Sequence, residues 1–181
     1  LISAIILYLQ LNEIIFIQGI SMIYIFILIL LAFLLNLSNQ LYLGDSGSYL
    51  LGFSFSIFLI SIYKFNQYIS PFFIVLLLWY PSYENLFSII RKKTLNRSSM
   101  KPDSNHLHQL FFFFIKKKLL IKTIYANLLS ANLINIFNFI VFLISSNFIS
   151  KTKIVILFII FNLIVYTFTY YILFNYRYKK I

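Results

Sequence analysis

From Ile17 to Leu35 the chain runs without one charged side chain. A helix needs about 20 apolar residues to cross the hydrocarbon of a bilayer, so this run reads as a span. Further runs follow at Ser48–Tyr63, Ser70–Ile90, Thr123–Ser145 and Ile154–Phe174, while Leu1–Leu11 reads as the tail of a helix cut by the start of the chain. Pro81, inside the fourth run, predicts a kink there, because proline removes a backbone donor and its ring crowds the preceding turn. Only 10% of the residues are charged, against about a quarter in soluble domains, and that is too few to cover a water-facing surface. Lipid demands no such cover. The expected fold class is therefore all-α, a polytopic transmembrane helical bundle of about five full spans plus the truncated first helix. Residues 1–181 form a single membrane domain in this reading, with 91–122 a basic cytoplasmic loop within it.

The net charge of +11 is not spread as a nucleic-acid-binding surface requires, and no nucleic-acid partner is expected. Nine of the 15 basic residues lie between Arg91 and Lys122: Arg91, Lys92, Lys93, Arg97, Lys101, Lys116, Lys117, Lys118 and Lys122. Short loops rich in Lys and Arg stay on the cytoplasmic side. Counting spans from that loop puts Lys64–Ile69, Asn12–Phe16 and Ser146–Lys153 outside. The same count puts the segment beginning at Leu41 and the C-terminal Arg177, Lys179 and Lys180 inside. Lys151 and Lys153 are the two cations that this orientation leaves on the outer face. Phe111–Phe114 followed by Lys116–Lys118 suits a segment lying in the membrane interface. With no cysteine, disulfides and thiolate metal sites are excluded.

Three polar features interrupt the grease. The stretch LYLGDSGSYLLG, Leu41–Gly52, holds three of the four glycines and one of the two aspartates. Asp45 at a span's mouth could ligate a hard cation such as Mg²⁺, which takes one or two carboxylates plus phosphates and waters. It could equally cap the helix that follows. Gly44 and Gly47 allow positive φ and close approach of a ligand. The stretch KPDSNHLHQL, Lys101–Leu110, holds both histidines and the other aspartate, Asp103. His106 and His108 share a face in an extended segment but not on a helix. Transition-metal binding, acid/base work and charge donation to phosphate all remain open to them. Glu84, about two turns before Arg91, is expected to pair with Arg91 or Lys92.

With LYLGDSGSYLLGF, YENLFSIIRKK and KPDSNHLHQL in this order, the chain resembles the polyprenyl-phosphate N-acetylhexosamine-1-phosphate transferases, over most of Leu41 to about Leu110. These enzymes initiate enterobacterial common antigen, O-antigen and teichoic acid linkage units, or make lipid I. The resemblance implies Mg²⁺-dependent transfer of an N-acetylhexosamine 1-phosphate from a UDP-sugar to polyprenyl (undecaprenyl) phosphate, with release of UMP, at the bacterial inner membrane. It implies a catalytic, metal-binding role for Asp45. It also places His106, His108, Asp103, Gly44, Ser46 and Gly47 at the substrates, and allows a homodimer. The family's earlier Asp-Asp pair is absent from the sequence. The expectation is thus a C-terminal part whose N-terminal half is missing, inactive alone. Two competing readings are a transporter or channel fragment with Asp45 and Glu84 lining an ion path, and an inert assembly subunit.

Overall fold

The computed structural model describes residues 1–17, 22–37, 40–41, 44–94 and 104–178, with the backbone alone at positions 22, 36, 37, 45 and 48. Among them every regular element is an α-helix: α1 (Ile2–Leu11), α2 (Met22–Leu37), α3 (Gly44–Phe65), α4 (Pro71–Leu77), α5 (Trp79–Thr94), α6 (Leu107–Leu119), α7 (Thr123–Ser146) and α8 (Thr152–Tyr178). The expected all-α membrane bundle is present. α7 and α8 are each long and apolar enough to cross a bilayer, and α4 and α5 reach that length together. α1, the Ile23–Leu35 part of α2 and the Tyr49–Phe65 part of α3 are shorter apolar helices. At 1.5 Å per residue, a 16-residue helix such as α2 spans about 24 Å, short of the roughly 30 Å of hydrocarbon. By length and composition together, then, the described helices supply fewer full spans than the apolar runs predict.

The kink predicted at Pro81 is a bend of 68° between α4 and α5. It falls at Leu78, three residues upstream. Proline at 81 has no N–H to offer the carbonyl of Leu77 and crowds it, so the ladder breaks one turn before the ring.

Three connections meet at one end of the bundle. The Asn66 side chain, buried after α3, accepts from the Phe16 N–H at 2.7 Å and donates to the Phe16 carbonyl at 2.8 Å, tying the α1–α2 connection to the α3–α4 connection. The Ser70 N–H donates to the Ile149 carbonyl between α7 and α8 at 2.9 Å. These are the segments that the span count groups on the outer face. Chain direction then carries the start of α3, the C-terminal end of α5 and the C-terminal end of α8 to the opposite end.

The core gathers Ile5, Leu9, Phe73, Leu76, Phe142 and Val155 from α1, α4, α7 and α8. Two asparagines enter it on different terms. Asn138 of α7 accepts from the Trp79 indole N–H at 2.8 Å and returns its own amide proton to the Ile134 carbonyl. Asn162 of α8 is fully buried, and neither of its amide atoms has a hydrogen-bond partner among the described residues. A buried amide without partners costs about 1–3 kcal/mol, whereas an apolar side chain of the same shape carries no such cost. Asn162→Leu is therefore expected to raise stability by about 1 kcal/mol or more, read as a higher midpoint of thermal unfolding in detergent. A lowered midpoint would contradict this.

Candidate functional site

Below the bend, Tyr80, Glu84, Phe87 and Arg91 recur at three- and four-residue intervals, on one face of α5. That face meets α8, where the Tyr166 ring packs edge-on against Tyr83 at 5.0 Å and Phe87 at 5.4 Å. The Tyr83 hydroxyl also meets Thr167 Oγ1 at 3.0 Å. Glu84 lies within this aromatic wall, 8% exposed. A carboxylate so placed is costly unless each lone-pair direction finds a donor.

The donors come from two distant segments. Glu84 Oε1 meets His106 Nδ1 at 2.9 Å and accepts from the Leu107 backbone N–H at 3.2 Å. Its Oε2 accepts from the Tyr166 hydroxyl at 2.8 Å. The expected pairing of Glu84 with Arg91 or Lys92 is thus corrected. Arg91 turns the other way, donating to the Asn105 carbonyl at 2.7 Å and the Tyr170 hydroxyl at 2.8 Å. The reason lies at the start of α6. α6 begins at Leu107, and its first N–H groups lack intrahelical acceptors and carry partial positive charge. Glu84 caps α6 from another helix, while Gln109 Oε1 accepts from the His106 N–H at 3.2 Å.

His106 stands at the N-cap with extended backbone (φ −71°, ψ 151°), and His108 sits in the first turn of α6. The sequence places the two on one face only in an extended strand. The cap geometry does it otherwise, by turning between them: the rings stack at 5.8 Å, inclined by 16°. Nδ1 of the His106 ring faces Glu84 Oε1, and Nε2 is its other functional atom. That ring is 26% exposed, and Nε2 makes no hydrogen bond to the described residues. For His108, partial burial and, secondarily, the neighbouring imidazole hold the pKa below its ordinary value despite the pull of Glu84.

The residues before the cap are clamped from two helices. Arg177 of α8 donates to the Ser104 carbonyl at 2.6 Å and to Asn105 Oδ1 at 3.1 Å, and Tyr178 donates to the same Oδ1 at 2.7 Å. Together with Arg91 this fixes the entry to α6, so two of the cations counted as topological markers also hold the histidine segment.

Chain direction opens α3 at this same end of the bundle. Gly44 adopts φ 60°, the left-handed conformation that glycine permits, and Asp45 follows in the first turn, where helix polarity favours negative charge. Ser46 is exposed and Gly47 half-buried. The Asp45 side chain and the whole of Asp103 lie outside the described residues. The described acid and imidazole groups do not themselves fit Mg²⁺, which wants hard oxygen ligands at octahedral geometry. Both Glu84 oxygens are engaged by neutral donors and a histidine, and no group of three or more His, Cys, Asp or Glu among the described residues could hold a metal. Nor does Glu84, buried and hydrogen-bonded at both oxygens, line a wet path as the ion-path reading requires.

Sequence reasoning singled out Glu84 but expected a cation as its partner, and it did not name Tyr166 or Arg177 as contacts of this cluster. The available signal was the lone acid inside an aromatic stretch, but it did not reveal the partner.

No known family model and no solved structure matches the chain. Among curated proteins, the chain is similar to the probable undecaprenyl-phosphate N-acetylglucosaminyl 1-phosphate transferase of Bacillus subtilis (strain 168), 31% identical over 88 residues. The match covers 48% of this chain and 25% of that relative, so the chain spans about a quarter of the relative's length.

Proposed function

We propose that the chain forms part of a polyprenyl-phosphate sugar-1-phosphate transferase, moving an N-acetylhexosamine 1-phosphate from a UDP-sugar to undecaprenyl phosphate with release of UMP. The observation that carries this reading is the capped N-terminus of α6, with two stacked imidazoles, at the end of the bundle where Asp45 opens α3. Imidazole donors suit phosphate oxygens. Phosphoryl transfer depends mainly on positioning and on neutralising the charge of those oxygens. The partial similarity to the Bacillus subtilis relative supports the same class of reaction.

In this proposal His106 and His108 engage the diphosphate of the donor, with His106 oriented by Glu84. Asp45 would carry Mg²⁺, with Asp103, Gly44, Ser46 and Gly47 near the substrates. The site end faces the cytoplasm of a bacterial inner membrane, since the cations of 91–122 and Arg177 belong there under the positive-inside rule. A lipid phosphate at that interface and a soluble nucleotide sugar meet only on that side.

The test measures UMP release from UDP-N-acetylglucosamine and undecaprenyl phosphate. Membranes would carry the chain with and without the N-terminal part of the Bacillus subtilis relative. Release above empty membranes in either arm supports the reading; background release in both refutes it.

A further inference from the structure

The corner between α6 and α7 is left without an explanation by the site. α7 is a membrane span starting at Thr123, so the turn before it lies where hydrocarbon meets headgroups. Lys116, Lys117, Lys118 and Lys122 are all exposed there. Leu120 is 89% exposed, and it holds φ 52°, a left-handed conformation that a branched side chain adopts at a cost. Tyr125 stands 58% exposed just inside the span, at the depth favoured by interfacial aromatics. Among the described residues nothing covers the leucine or neutralises the lysines.

The three consecutive lysines are not splayed into water. Lys116 Nζ lies 5.7 Å from the Phe112 ring centre, Lys118 Nζ 5.4 Å from that of Phe114, and Lys117 Nζ 5.2 Å from that of Tyr176 on α8. Aromatic faces of α6 and α8 hold their ammonium groups while Leu120 stands exposed at the corner. Cations at phosphate depth, beside an apolar side chain that lipid tails would cover, match one class of partner by charge and by layering.

We propose that the α6–α7 corner binds the headgroups of anionic phospholipids. Lys116, Lys117 and Lys118 would receive the phosphates and Leu120 would lie among the acyl chains. This holds whether or not the transferase reading does, because it rests on a surface outside the Glu84 cluster.

The 181-residue chain, purified in detergent and mixed with equimolar phosphatidylglycerol and phosphatidylcholine, would be assayed for retained lipid by native mass spectrometry. The wild type is expected to prefer phosphatidylglycerol roughly fivefold or more, an attraction that several lysines at a membrane surface readily supply. The triple variant Lys116→Gln, Lys117→Gln, Lys118→Gln should bring the preference close to parity, while Lys151→Gln with Lys153→Gln at the opposite end should keep it. Should the triple variant fail to fold, Lys118→Glu alone should reduce the preference, and added salt should erode it in the wild type. Equal retention of the two lipids by the wild type would overturn the proposal. So would an undiminished preference in the lysine variants, or in the wild type at high salt.

Discussion

Replacing Glu84 by glutamine in the active assembly is expected to lower turnover by about 10- to 100-fold, by analogy with the loss of a partner that orients a metal-ligating histidine. The substitution separates charge from shape. A glutamine can turn its carbonyl oxygen toward His106 and the Leu107 N–H, and its amide toward Tyr166, whose hydroxyl can rotate from donor to acceptor. The cap on α6 survives, and unfolding should move little. What is lost is the negative charge beside Nδ1 of His106. The loss should fall on the use of the UDP-sugar, seen in its KM and kcat, and spare the KM for polyprenyl phosphate. Glu84→Ala should do more. It strands the Leu107 N–H and the Tyr166 hydroxyl in a buried site, at about 1–3 kcal/mol for each unsatisfied group. If Glu84→Gln lowers the unfolding midpoint yet leaves donor kinetics intact, Glu84 is a fold element alone and its positioning role fails.

Asp45→Asn is expected to be the more damaging change to the chemistry, about 1000-fold in turnover by analogy with the loss of one preorganised electrostatic group, with an altered dependence on Mg²⁺. The same variant distinguishes the two sequence readings of this residue. A carboxylate in the first turn of α3 gains only about 0.3–1 kcal/mol from the helix dipole, so one that serves only the helix can be exchanged with little effect on melting or activity. A carboxylate that meets a cation cannot, because the amide carries no charge. Normal turnover of Asp45→Asn with an unchanged Mg²⁺ profile would remove Asp45 from the site.

The order of helices was readable because hydropathy is local and additive. The runs at Ile17–Leu35, Thr123–Ser145 and Ile154–Phe174 each announce a helix without knowledge of any neighbour. The grouping of ends was readable too, since spans alternate and charge marks one side. The contact of Phe16 with Asn66 and of Ser70 with Ile149 agrees with that count. Pro81 announced a bend, and its stereochemistry sets the break just upstream. The histidine pair stood out as chemistry in a chain with little of it, but its mutual geometry did not, because stacking depends on where α6 starts.

The partner of Glu84 was beyond reach for a different reason. A lone carboxylate in an aromatic segment must find donors, so its need was already written in the chain. Arg91 and Lys92 satisfied that need on paper, and Arg91 stood nearest in sequence. The choice fell to the 68° bend between α4 and α5 and to the clamping of Asn105 by Arg91 and Arg177, which bring residues 22 and 82 positions away onto the two oxygens of Glu84. Solvent preference alone told this chain to be a helical membrane protein with polar groups gathered at one end. Which of those groups touch was settled by the rotation and bending of packed helices, where long-range geometry outweighs proximity along the chain.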